Sequence, residues 1–205
     1  MKESVTKRMD AIVCQSYNLL CKKIVDGNLS IGNEGTLQLM FGLMLSDVAR
    51  LYQYGANDHF TITMEKEVEN INTWKSKGDA RIDIFLTFFD GVDTCRAAIE
   101  LKFLPKDKNE AVTDNRFYIL GDIENLEAYR QLVPANLGYL LVFTTNISYT
   151  QDGNSYVPLG NGEKPVTGDI VSRDRETEIR IHLDGRYKLQ WDKYDGERYF
   201  LLLKV

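Results

Sequence analysis

The sequence predicts an α/β chain with a core order of α-β-β-β-α-β and a mixed central sheet. An extra N-terminal helix precedes this core and a C-terminal antiparallel β meander follows it. Three observations carry this reading. Apolar residues recur at three- and four-residue spacing in two segments before residue 55 and in one over 117–133. Between and after them lie runs rich in Ile, Phe, Thr and Val, some alternating and one continuous. The 205 residues, 43% apolar and 27% charged, suffice for one domain with its own core. Residues 1–205 are therefore read as a single domain. The core spans 33–145, and an irregular excursion plus the meander fill 146–205.

The first helix, residues 5–26, carries Met9, Val13, Tyr17, Leu20 and Ile24 on one stripe and ends near Asp26-Gly27. The second, roughly 33–54, carries Leu37, Phe41, Met44, Val48 and Leu51 and ends at Gly55. His59–Val68 alternates through Phe60, Ile62 and Met64. Asp79–Phe89 and Cys95–Leu104 are the next two strands, the latter stopped by Pro105. Residues 105–116 are polar and read as a loop before the helix over 117–133, with Leu120, Ile123, Leu126 and Val133 on one face. Gly138–Thr145 is almost wholly apolar, as expected of a strand covered on both faces. Residues 146–175 are polar and glycine-bearing. The last thirty residues read as three strands joined by turns at Asp184-Gly185 and Asp195-Gly196.

Composition narrows the function. The net charge of −5, from 25 basic and 30 acidic residues, excludes a polybasic binder, so any nucleic-acid contact must come from a local patch. Cys14, Cys21 and Cys95 form no CxxC pair; reduced thiols in a cytoplasmic protein fit better than a disulfide framework or zinc knuckle. His59 and His182 are too few and too far apart for a His-rich metal site. The N-terminal residues contain no signal-peptide core. The longest apolar stretch, Leu39 to Leu45, falls far short of the ~20 residues of a membrane span, so no membrane contact is expected.

Residues 79–104 hold the chemistry. If Gly91-Val92 is a two-residue turn, Asp83 sits opposite Glu100 and Arg81 opposite Lys102. If Asp90-Gly91 is the turn, Asp83 faces Ala98 and Glu100 is one diagonal step away on the same face. A three-residue loop reverses the parity. Ile82, Ile84, Leu86 and Phe88 share a face with Ile99, Leu101 and Phe103, leaving Asp83, Glu100 and Lys102 on the other. Two carboxylates so placed repel unless a cation lies between them, and Mg²⁺ takes oxygen ligands of this kind. Lys102 can orient or deprotonate a water, or neutralise charge developing on a phosphate.

Ile82-Asp83, sixteen residues, then Glu100-Leu101-Lys102 on the following strand resembles the PD-(D/E)XK nuclease superfamily. Chance alone would supply about two acid-x-Lys tripeptides in a chain of this composition. The signal is therefore the position of this one, on an apolar strand next to Asp83 and before a helix. The resemblance covers about half the chain and implies a restriction-endonuclease-like fold. It also implies Asp83 and Glu100 as metal ligands, the Leu101 carbonyl completing the coordination, and Lys102 as the catalytic lysine. The cofactor would be Mg²⁺, with Mn²⁺ able to substitute, and the substrate nucleic acid, DNA by expectation. Ile82 replaces the proline of the family pattern. Asn125 stands where some branches carry Gln, four residues before Tyr129.

Glu34 lies 3, 7, 10 and 14 residues before Leu37, Phe41, Met44 and Val48, so it points along the core-facing stripe. Many superfamily members place an acid there, near the metal. A first-turn Glu favoured by the helix dipole explains the position equally well. Asp122, Glu124 and Glu127 read as a solvated helix face, and Lys75, Lys77, Lys106 and Lys108 as loop lysines able to rim a phosphate. Arg81 is expected to pair with Glu100, touch phosphate or form a plain strand-edge salt bridge. The apolar run Tyr199–Leu203 must be covered by the chain or by a partner, so a homodimer, or service as a subunit of a larger complex, is an expectation too. The alternative function is a catalytically silent, nuclease-fold binding or assembly subunit.

Overall fold

Helix α1 (Val5–Val25) begins where the Ser4 hydroxyl accepts from the Lys7 amide and buries Met9, Ile12, Val13 and Leu20. Helix α2 (Glu34–Arg50) begins at Asn33, whose side-chain oxygen accepts from the Thr36 amide at 2.7 Å. The computed structural model describes residues 4–106, 112–151, 165–174 and 177–205. Among the described residues no helix is long and apolar enough to cross a membrane.

Six strands form the central sheet: β1 (His59–Asn72), β2 (Lys77–Phe89), β3 (Thr94–Leu104), β4 (Leu137–Thr144), β7 (Asp192–Lys193) and β8 (Tyr199–Lys204). Their spatial order is β1-β2-β3-β4-β8-β7, and the β3–β4 pair alone is parallel. Helix α3 (Val112–Leu132) makes that crossover. Helices α1 and α2 cover one face of the sheet, over Ile84, Leu86, Ile99, Leu101, Leu141 and Phe200. Helix α3 covers the other, over Ala98, Leu140, Val142 and Leu201. The hairpin of β5 (Val166–Asp174) and β6 (Thr177–Tyr187) packs outside α3.

The β2–β3 turn is Gly91-Val92. The Asp90 amide donates to the Asp93 carbonyl at 3.1 Å, and Gly91 takes a φ of 90°, as the first residue of such a tight turn requires. The strands then pair from Phe89 with Thr94 to Ile84 with Ile99, and there the ladder stops. Beyond it β2 continues with β1, and β3 continues with β4. Ile82 was expected on the face of Ile84, yet it packs in the α3 core. A two-stranded ribbon twists more than a wide sheet, and β1–β2 is such a ribbon past the fork.

Three other expectations are corrected. Helix α3 begins at Val112, not near 117; residues 107–111 of the expected loop lie outside the described residues. Part of the supposed irregular excursion is β5; residues 152–164 lie outside the described residues. Asp184-Gly185 is not a turn. Strand β6 runs through it because the Glu127 carboxylate on α3 accepts from the amides of Asp184 and Gly185 and from the Tyr187 hydroxyl, at 2.9, 2.7 and 2.6 Å. The turn at Asp195-Gly196 is present, with Asp195 accepting from the Glu197 and Arg198 amides.

Strand β8 lies against β4, with Phe200 stacked on Phe143 at 4.6 Å between centroids. Tyr199, Leu201 and Leu203 are buried on the α3 side. The apolar C-terminal run is thus covered from within and gives no reason of its own to require a partner. Arg8 of α1 has no exposed surface. Its guanidinium donates to Asp58 at 2.7 Å, to Asp90 at 3.0 Å and to the Tyr52 carbonyl at 3.1 Å, tying α1 to both hairpin ends.

Candidate active site at the fork between two strands

Where β2 and β3 part, the inner edge of β3 loses its backbone partners, and buried amides need substitutes. Carboxylates provide them. Asp83 on β2 accepts from the Leu101 amide at 2.7 Å, and Glu34 at the start of α2 accepts from the Phe103 amide at 3.2 Å. The Leu101 carbonyl accepts from Lys102 Nζ at 3.1 Å. The same ammonium lies 3.4 Å from Glu34 Oε1 and 3.5 Å from Asp122 Oδ2 on α3. Lys102 thus links the α2 layer to the α3 layer through the gap in the sheet.

Glu100 is 3% exposed, and its Oε1 has no hydrogen-bond partner. Around it stand Asp83, Asp122 and the Tyr129 hydroxyl, which borders the carboxylate without an aligned hydrogen bond. Asp122 is fully buried; one oxygen pairs with Lys75 from the β1–β2 turn, and the other has no hydrogen-bond partner. Four carboxylates and two ammonium groups therefore share one partly enclosed space.

The electrostatics follow from burial and like charge. Burial pushes the Asp83 carboxyl up to about 6, against the Leu101 amide and Lys102, which favour its ionised form; Asp122 and Glu34 add to the rise. Burial, then Asp122 and Asp83, drive Glu100 well above the usual carboxylate range. Burial alone would lower Lys102, but Asp122, Glu34, Asp83 and Glu100 together hold it above the usual lysine value as an ammonium.

The fold brings together Asp83, Glu100, the Leu101 carbonyl, Lys102 and Glu34. Arg81 is not among them; it faces Glu67 at 3.5 Å on the exposed outer strand. Asp122, Glu124 and Glu127 are not a solvated face. Asp122 belongs to the cluster, Glu124 accepts from the Trp74 and His182 amides, and Glu127 holds β6. The overlooked signal was spacing: Asp122 lies three, four and seven residues before Asn125, Leu126 and Tyr129, all buried. Asn125 accepts from Thr73 and donates to Ser76 at 3.2 Å, fixing the turn that carries Lys75. Gln38, one helical turn after Glu34, was also missed. It donates to the Asp83 carbonyl at 2.7 Å and to Glu65 at 2.8 Å, where Glu65 takes a φ of 51°.

Among the described residues no group of three or more His, Cys, Asp or Glu side chains is already arranged to hold a metal ion. The donor set is nonetheless hard oxygen, with orphaned buried oxygens on Glu100 and Asp122, and this suits Mg²⁺ rather than zinc or copper. Compared with known proteins, the chain gives no significant match to any family model, curated protein or solved structure.

Proposed function

We propose that the chain is a Mg²⁺-dependent nuclease of the PD-(D/E)XK kind, with a restriction-endonuclease-like core, hydrolysing phosphodiester bonds in DNA. The observation that carries this reading is the partnerless, buried Glu100 oxygen, next in sequence to Leu101, whose amide Asp83 accepts, just past the end of the β2–β3 ladder. Buried carboxylates without partners are costly, and a bound divalent cation offsets that cost.

Asp83, Glu100 and the Leu101 carbonyl would hold the ion, with Glu34 at the rim. When bound, it supplies Lewis-acid polarisation of the phosphate and a more acidic water. Lys102, kept as an ammonium by its four acidic neighbours, neutralises charge developing on the phosphoryl oxygens and orients the attacking water. It does not serve as the proton acceptor in that state. Glu34 and the Leu101 carbonyl hold the ammonium in place, and Gln38 fixes the Asp83 backbone.

One observation favours the silent alternative. Lys102 and Lys75 already pair with Glu34 and Asp122, so part of the acidic charge is balanced by the chain itself. Incubation of the pure protein with plasmid, linear duplex, single-stranded DNA and RNA, at graded Mg²⁺ and Mn²⁺, separates the two readings. Cleavage that requires metal and disappears in Asp83→Asn and Glu100→Gln supports the nuclease. Intact substrates throughout, with no metal bound, support the binding subunit.

A further inference from the structure

The β1–β2 turn, residues 73–76, is docked on α3 with more fastening than a surface turn needs. The Trp74 amide donates to Glu124 at 2.7 Å, Thr73 and Ser76 hydrogen-bond Asn125, and the Trp74 ring lies over Gly121. A Cβ at Gly121 would meet Trp74 at 2.9 Å and the Lys75 Cβ at 3.3 Å, so glycine is what lets the turn come this close. The next helix residue is Asp122. The docking delivers the Lys75 ammonium onto Asp122 Oδ1. Asp122 has no exposed side-chain surface, whereas the Lys75 side chain is 25% exposed.

The second oxygen of Asp122, the free oxygen of Glu100 and the Tyr129 hydroxyl are three buried polar atoms without hydrogen-bond partners. Asp122 and the Tyr129 hydroxyl both border Glu100, and Lys75, whose charge Glu100 also feels, is the partly exposed member of the group. A buried carboxylate must have a counter-charge, and a lysine on a four-carbon stem can withdraw to water at little cost.

We propose that Lys75 is a tethered counter-ion of the site: Asp122 holds the Lys75 ammonium in the metal-free protein and exchanges it for the divalent cation when that cation binds. This rests on the nuclease reading above and adds to it a fourth buried ligand and a built-in competitor. The turn itself stays on α3, because Trp74, Thr73 and Ser76 hold it independently of Lys75. The exchange involves one side chain, and it raises the cation concentration at which the site fills.

The two members of the pair must then act in opposite directions. Mn²⁺ binding, read by electron paramagnetic resonance of the free ion, is the measurement, with no substrate present. Lys75→Met removes the competitor and should tighten binding about tenfold. Lys75→Arg keeps the charge and should stay near the wild type. Asp122→Asn removes a ligand and should weaken binding. Lys77→Met, a neighbouring exposed lysine, controls for general field effects and should change little at physiological salt, where screening acts over about 8 Å. Unchanged affinity in Lys75→Met, or equal tightening in Lys77→Met, overturns the exchange. If either occurs while Asp83→Asn still abolishes binding, the metal site stands and the tethered counter-ion alone is lost. If the wild type and Lys75→Met both fail to bind Mn²⁺, the metal site falls, and the exchange falls with it.

Discussion

Two clusters of buried charge lie along the β2–β3 pair, one by its turn and one where its ladder ends, and they use the same ingredients differently. At the turn end, one arginine serves two aspartates. Burial of Asp58 is outweighed by Arg8 and by the Gly55 and Tyr54 amides, which hold its carboxyl below the ordinary range. At the fork, four carboxylates share two lysines, and burial and mutual repulsion push Asp83 and Glu100 up. The first cluster is stabilised as it stands. The second is under electrostatic stress, because burial and like charge both oppose ionisation of its carboxyls. Opposite responses to mutation, metal and pH are therefore expected.

The largest effect on stability should come from the turn end. Arg8→Met leaves Asp58 and Asp90 buried without their cation and should cost about 3–5 kcal/mol by denaturant unfolding. Glu100→Gln at the fork removes a repelling charge and should leave stability unchanged or raise it. A comparable loss in both variants would erase the distinction drawn between the clusters.

Activity should show the reverse. Asp83→Asn, Glu100→Gln and Lys102→Ala should each lower metal-dependent cleavage roughly 10²–10³-fold, while Arg8 matters only through folding. Product formation normalised to folded protein measures this.

Next in size is the effect of the cation itself. Saturating Mg²⁺ at about 100 times its dissociation constant should add ~2.7 kcal/mol and raise the Tm. Asp83→Asn should abolish the rise, and a Tm indifferent to millimolar Mg²⁺ and Mn²⁺ would remove the metal from the mechanism.

The two ends also differ in pH dependence. Asp83 is raised from its ordinary value to about 6. Its stabilising contribution is fully present below the unfolded value and is lost as pH rises through 6. Asp58 is lowered, so its contribution is present above the unfolded value and is lost only as pH falls through its still lower folded value. Metal-free protein should therefore be more stable at pH 5 than at pH 7, and Asp83→Asn should shrink that difference. Urea midpoints at the two pH values test this.

The smallest effect concerns the docking of the Lys75 turn. Alanine for glycine inside a helix ordinarily gains up to ~1 kcal/mol. In Gly121→Ala the new methyl meets Trp74, and a net loss of about 1–2 kcal/mol is expected. A net gain would mean that the turn yields readily.

Much of this molecule is determined by local pattern. Period-3.6 stripes such as Met9, Val13, Leu20 and Ile24 produce α1, and the continuous apolar run of Leu137–Thr144 produces a strand buried on both faces. Glycine at position 91 permits the tight turn that sets the register of β2 on β3 as far as Ile84 and Ile99, so the neighbourhood of Asp83 and Glu100 on adjacent strands was legible in the sequence. What local pattern could not contain is the partner of each polar group. Asp184-Gly185 looks like a turn until Glu127, nearly sixty residues earlier in the chain, takes its amides and the strand carries on through a bulge. Asp122 looks like a solvated acid until α3 folds onto the sheet and Lys75 arrives on a turn that Gly121 admits. The stop of the ladder at Ile84 and Ile99, which opens the fork, belongs to the tertiary structure alone. It depends on β1 and β4 drawing their neighbours apart and on carboxylates replacing the missing backbone acceptors. The sequence alone determined α1, α2 and the core strands β2, β3 and β4, and with them the adjacent placing of Asp83 and Glu100, because these depend on spacing along one chain segment. Tertiary structure decided which charges are buried together, because burial and pairing are properties of distant segments brought into contact.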